Sequence, residues 1–264
     1  MHAQVSFPFH ERAVTLEAGR LGLPHRSGVV LASVAGTAVL VTVQHRPSTP
    51  ARQGLFGRVR ERIGDLYWER RHRSRTHRAD APDFEDDAFV RGLIERSIRL
   101  PHLEAGSSEV HIELHACAHD PRIDARVPAL LAASAALAIA GITPHGIFGA
   151  ARIGCIGGDL VVNPTRDEID RSQHDLVVTA TRESIVAVQS DTRPMPAELA
   201  QAAAALGHRR MQPAIGAIDA LVRKFVSTEP AGTGVRRQDL PAAAVAARRL
   251  LGSPPAARAG RRLH

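Results

Sequence analysis

The chain predicts an α+β fold, with mixed or antiparallel sheets packed against helices, and three observations carry that expectation. Short β-branched-rich runs recur between glycine-bearing turns, which is the pattern of antiparallel hairpins. Two stretches, 85–99 and 196–226, read as helices, the first with its apolar residues at helical period. Between them, Val127–Ala140 is small and apolar nearly all round, as a helix packed against sheet on several sides must be.

In order along the chain, Ala13–Glu17, Gly28–Val34 and Thr37–Val43 read as three antiparallel strands, with Ala35-Gly36 at a tight hairpin turn. From 46 to 79 the periodicity is lost and the charge turns basic, with nine arginines from Arg52 to Arg78 against Glu61, Asp65 and Glu69. This is a loop-rich cationic insertion. The sign then flips: Asp80, Asp83, Glu85, Asp86 and Asp87 precede the apolar positions Phe89, Val90, Leu93, Ile94 and Ile98. One apolar face with acids in the first turn, where the helix dipole favours them, predicts a helix over Glu85–Arg99, stopped by Pro101. Glu109–Ala118 alternates, with Val110, Ile112, Leu114, Ala116 and Ala118 on one face and His111, Glu113, His115 and Cys117 on the other. That is a strand with one buried face.

Gly141 closes the apolar helix. Ala150–Ile156 and Asp159–Val162 flank Gly157-Gly158, a hairpin signal, and Asp175–Ala180 and Ser184–Gln189 form a second pair of strands around Thr181–Glu183. Pro196–Val226 reads as a long helix. The expected organisation is a core domain over residues 1–226 carrying the basic loop 46–79, followed by a flexible Ala/Arg/Pro-rich tail over 227–264 whose one periodic stretch is Pro241–Leu251.

Composition narrows the function classes. No apolar run reaches the roughly 18–20 residues of a membrane span, and Met1–Glu11 lacks the apolar stretch of a secretory signal, so a soluble cytoplasmic chain is expected. Cys117 and Cys155 are the only cysteines and stand far apart, which points away from a disulfide framework or a thiolate zinc site. The formal charge of +7 favours polyanionic partners. All basic residues but Lys224 are arginine, and alanine abounds as well, a composition that nucleotide bias explains as readily as guanidinium chemistry.

The run from Ala129 to Ile142, continuing through Gly146 to Gly149-Ala150-Ala151-Arg152-Ile153-Gly154, resembles the first core domain of polynucleotide phosphorylase. Further landmarks follow in the family's order: Val14–Arg20, Thr37–Val43, Leu93–Arg99, Val162-Asn163-Pro164-Thr165, Asp175–Val178 and Gly207-His208. The likeness spans about residues 10–225. It implies an RNase PH-type fold that pairs with a second similar module and trimerises into a ring around an RNA channel. In that family the catalytic acids, the phosphate pocket and the metal site belong to the second core module, so the resemblance implies no catalytic residue, metal ligand or cofactor in this chain. Magnesium belongs to the other module. The implied partners are single-stranded RNA and a chain that supplies the active site of a phosphate-dependent 3′-to-5′ exoribonuclease, with no membrane. The competing expectation is a catalytically inactive, diverged RNA-binding or scaffolding protein.

The family's RNA-gripping loop, Phe-Phe-Arg-Arg-Glu-Gly-Arg-Pro-Ser, corresponds here to Thr76–Phe84, where Arg78 alone is kept. Losing both stacking rings, at roughly 1–3 kcal/mol per stacked base, weakens such a grip. Upstream, Tyr67 and Trp68 precede Arg71, Arg73 and Arg75. An alternative RNA-contacting loop and a solvated charged loop both fit this stretch. Arg96 and Arg99 match the two arginines of the family's Arg-Pro-Ile-Arg element; they suit RNA phosphates, and equally the C-terminal carbonyls of a helix. The candidate RNA-binding residues are therefore Arg71, Arg73, Arg75, Arg78, Arg96 and Arg99.

Two other constellations read as structural. Alternate strand residues lie about 6.5–7 Å apart, too far for His111, Glu113, His115, Cys117 and His119 to converge on one zinc. Asp167, Glu168, Asp170 and Asp175 suggest a two-carboxylate metal site, but a turn at Asn163-Pro164-Thr165 followed by a short acidic helix accounts for them. Arg152 is expected to be structural. The chain departs from the family at Ala125-Arg126, in place of Pro-Asp, and at Gln189, in place of Glu.

Overall fold

The computed structural model describes residues 2–19, 27–47, 66–67, 88–98, 108–143, 145–190 and 195–226. The first sheet has six strands in the order β1 (Ala3–Phe9), β2 (Arg12–Ala18), β3 (Ser27–Val34), β4 (Thr37–Pro47), β6 (Ser108–Ala118) and β5 (Leu66–Tyr67). All its pairings are antiparallel except the short β5–β6 contact. The second sheet has four antiparallel strands in the order β10 (Ile185–Gln189), β9 (His174–Ala180), β7 (Gly149–Ile156) and β8 (Asp159–Val162). The helices are α1 (Ala88–Ser97), α2 (Arg126–Ile139), α3 (Arg166–Arg171) and α4 (Ala197–Val226).

Both expected hairpin turns are present. Val34 pairs with Thr37 across Ala35-Gly36, and Ile156 pairs with Asp159 across Gly157-Gly158. Gly157 and Gly158 have φ of 62° and 94°, the mirror-image turn whose twist matches that of the flanking strands.

The sequence reading does not contain β1. Its alternation is legible, since Ala3, Phe7 and Phe9 are buried while Gln4, Ser6 and Pro8 are exposed. Pro8 interrupts the pattern, and it is tolerated because β1 is an edge strand where a missing N–H costs no ladder bond. Inside the expected loop 46–79, β4 runs on to Pro47 and Leu66–Tyr67 pairs with β6; the rest of that loop, and the tail 227–264, lie outside the described residues.

The apolar helix α2 is the centre of the molecule. It touches β3 and β4 of the first sheet on one side and β7 of the second on the other, which is why its residues from Val127 to Ala138 are all buried. Close approach is possible because the seam is small: a Cβ on Gly28 would stand 1.7 Å from the Ala136 carbonyl oxygen. At the C-terminus Gly141 takes φ 77°, and the Ile142 and Gly141 amides donate to the Leu137 and Ala138 carbonyls at 2.8 and 3.1 Å. Those two bonds satisfy carbonyls the last turn would otherwise leave open.

The faces of the second sheet divide the interior. Ala150 and Val177 join the cluster around α2, whereas Ala151, Ile153, Leu176 and Val178 pack against α4 through Ala203, Ala204, Met211 and Ile215. The other end of α4, at Ala214, Ile218 and Leu221, reaches the α2 cluster. Helix α1 lies beside α2 against β9 and β10. Among the described residues, no helix is long and apolar enough to cross a membrane.

Candidate functional site

Of the six candidate RNA-binding arginines, Arg71, Arg73, Arg75, Arg78 and Arg99 lie outside the described residues. Arg96 is exposed near the end of α1, a helix whose opposite face is fixed by Phe89, Val90, Leu93 and Ile94 in the core. The Ser97 hydroxyl ties this end of α1 to the second sheet, with hydrogen bonds to the Leu93 carbonyl at 2.8 Å and the Thr179 hydroxyl at 2.9 Å. That anchor brings the Arg96 guanidinium to the sheet edge, where Nη2 donates to Oε1 of Gln189 on β10. Arg91 and Glu95, one turn apart on the same helix, approach at 3.9 Å.

Behind this surface sits a buried charge cluster. Arg152 is 1% exposed; its Nη1 donates to Asp124 at 2.5 Å, and its Nη2 donates to Asp175 on the adjacent strand. An arginine here needs both carboxylates, because an unpaired guanidinium taken out of water costs several kcal/mol, roughly. The structural role expected for Arg152 is thus visible as a link joining β7, β9 and the segment that enters α2. Asp124 does double duty, since its Oδ1 also accepts from the Arg126 amide at the first turn of α2, where Ala125 offers no side-chain cap. Beside it a small cleft is lined by Phe9, His10, Arg12, Val127, Asn163 and Thr165. His10 and Asn163 both hold left-handed backbone, with φ of 54° and 52°. The Asn163 side chain accepts from the Arg152 amide at 3.0 Å.

The carboxylates that suggest a two-acid metal site are turned to other uses. The Glu168 carboxylate takes the Thr165 amide at 2.7 Å and its hydroxyl at 2.9 Å, closing a capping box at the start of α3. Those bonds, with the Thr165 amide foremost, hold the Glu168 carboxyl below its ordinary pKa. Asp170 is exposed 3.5 Å from Arg166, Asp167 is exposed, and Asp175 is held by Arg152. These acids do not converge on one point. No group of three or more metal-ligating side chains occurs among the described residues.

The row along β6 is also not a cluster. Glu113 and His115 meet at 3.4 Å, but the register shifts so that Ala118 pairs with Ala38 and Ala116 with Val39, leaving Cys117 as the extra residue of a bulge. Cys117 keeps the face of Glu113 and His115, where it forms a small apolar cluster with Leu31, Ala38 and Leu40. Past the bulge Ala118, expected on the apolar face of Ile112 and Leu114, joins that cluster instead, and His119 lies past the strand end. At the same end of the sheet, Asp120 accepts from the Arg122 guanidinium at 3.0 and 2.8 Å, which lowers the Asp120 carboxyl.

The sequence reading missed Asp124, whose partner Arg152 is 28 positions away and reaches it only through the fold. It noticed Gln189 as a departure from the family but not as the partner of Arg96.

Residues 146–210, which run from the approach to β7 into α4, match the model of the 3′ exoribonuclease family, domain 2. Among solved structures, a chain of the Archaeoglobus fulgidus exosome, determined with RNA bound to the active site, has a TM-score of 0.50 at 18% identity. The match covers 85% of this chain and 88% of that one. Rice (Oryza sativa) Rrp46 has a TM-score of 0.52 at 14% identity, over 86% of this chain and 94% of that one. This chain therefore has an RNase PH-type fold, and its second sheet and the first half of its long helix carry the sequence pattern of 3′ exoribonuclease domain 2.

Proposed function

We propose that this chain is a structural, RNA-contacting subunit of RNA-degradation machinery: the non-catalytic half of a phosphate-dependent 3′-to-5′ exoribonuclease of the polynucleotide phosphorylase kind. The observation that carries the reading is the fate of the acids within an exoribonuclease-type fold. Glu168 caps a helix, Asp124 and Asp175 neutralise Arg152, and Asp167 and Asp170 lie apart on the surface. Two-metal phosphoryl chemistry needs carboxylates that converge on open coordination positions, and engaged or scattered ones do not supply it. The active site, with its magnesium, then comes from a second RNase PH-type chain in a trimeric ring. The archaeal exosome neighbour, determined with RNA bound to the active site, supports RNA as the partner.

The experiment is phosphorolysis of labelled poly(A) by the purified chain, alone and mixed with a purified catalytic second module of the polynucleotide phosphorylase kind. Nucleoside diphosphate release is expected from the mixture and not from this chain alone. Phosphate-dependent release by the chain alone, in a preparation free of host nuclease, overturns the reading.

A further inference from the structure

We propose that Gln189 is a neutral tether, holding the Arg96 guanidinium in place for an RNA phosphate while leaving its whole charge available. This rests on the RNA-contacting role proposed above and adds a positioning residue to it. A guanidinium paired with a carboxylate has its charge cancelled at close range; one bonded to an amide oxygen is oriented and stays a full cation. Arg96 stands in the second condition. Its Nη2 donates to Oε1 of Gln189, and among the described residues no carboxylate lies within ion-pair distance of it. Glu95, its neighbour on α1, approaches Arg91 instead.

The surroundings are built for that arrangement. The Ser97–Thr179 bond fixes the end of α1 against β9, so that the guanidinium meets β10 at its last residue. One turn earlier on the same face is Gly92, where a Cβ would lie 3.8 Å from Gln189 Oε1 and 3.9 Å from Arg96 Nη2; the absent side chain leaves the pair uncovered. A guanidinium carries five N–H donors; Arg96 is exposed and the tether engages only one of its nitrogens, so donors of the planar fork remain for phosphate oxygens.

The test measures binding of the full chain to a fluorescein-labelled oligoadenylate across a salt series, for wild type, Arg96→Ala, Arg96→Lys, Gln189→Glu and Gln189→Ala, with melting curves to confirm that each variant folds. Arg96→Ala is expected to shallow the slope of log Kobs against log salt by roughly 0.7, the increment of one phosphate contact on a single strand. Gln189→Glu, which changes the acceptor to a carboxylate of the same shape, should shallow it similarly. Gln189→Ala and Arg96→Lys should lower affinity and keep the slope, because the charge remains and only its placement is lost. If Gln189→Glu binds as wild type does while Arg96→Ala loses its increment, the tether is overturned and the RNA-contacting reading stands. If Arg96→Ala matches wild type, the tether is likewise overturned. If wild type fails to bind at any salt concentration, both fall.

Discussion

Arg152 on β7 and Asp175 on β9 are diagonal neighbours on one face of the second sheet: Arg152 pairs in register with Val177, and Asp175 lies two residues before Val177, so the two side chains meet across the strands. At 2% and 1% side-chain exposure they form the most deeply buried ion pair among the described residues. Removing the arginine strands Asp124 and Asp175 without their cation. Arg152→Ala should therefore cost about 3–5 kcal/mol, read from urea denaturation. A loss below about 1 kcal/mol would mean that the acids find other partners.

Two glycines give opposite expectations. Gly28→Ala drives a methyl group into the Ala136 carbonyl at 1.7 Å, backbone against backbone, so β3 and α2 must separate. The variant should lose several kcal/mol, roughly, or fail to fold. Gly216→Ala, in the interior of α4 with nothing within 4 Å, should raise stability by about 0.5–1 kcal/mol through helix propensity. Paired thermal melts decide both, and a destabilised Gly216→Ala would contradict the open space around it.

The capping box makes the stability of α3 depend on pH. In the fold the Glu168 carboxyl lies below its ordinary value of 4.5, chiefly because it accepts the Thr165 amide. A depressed acid contributes stability that is fully present above the ordinary value and is lost as pH falls through the folded one. Glu168→Gln should accordingly lower Tm at neutral pH, and its deficit against wild type should shrink below about pH 4. A deficit that does not change between pH 7 and pH 3 would assign the effect to packing.

The basic loop is tested by changing Arg71, Arg73, Arg75 and Arg78 together to Ala. As RNA contacts, the four should shallow the salt slope by up to about 2.8, at roughly 0.7 for each phosphate contacted on a single strand. A gel shift indistinguishable from wild type would leave the loop as a solvated charged surface.

Much of the architecture was legible in the sequence because glycine turns and hydrophobic period are local signals. The hairpins at Ala35-Gly36 and Gly157-Gly158, the apolar helix closed by Gly141 and the long final helix all follow from neighbours in the chain. What escaped depended on distant partners. Strand β1 carries a readable alternation, but only its place at the sheet edge makes Pro8 acceptable. The alternation of β6 keeps its period of two until the bulge carries Ala118 over to the face of Cys117, which the pairing with β4 imposes. Asp124 gains its meaning from Arg152, and Gln189 from Arg96, because residues 28 and 93 positions apart meet only once the sheets have formed.

Helix α4 runs as one element from Ala197 to Val226 with Pro213 inside it, its early turns feeding the cluster on the outer face of the second sheet and its late turns the cluster around α2. Neither half can open locally without drawing on the same helix, so the two sheets belong to one cooperative unit. Amide exchange at Ala203 and Leu221 should then proceed through the same global opening. For the ring subunit proposed above, such a unit would have no weaker half to unravel first as RNA passes.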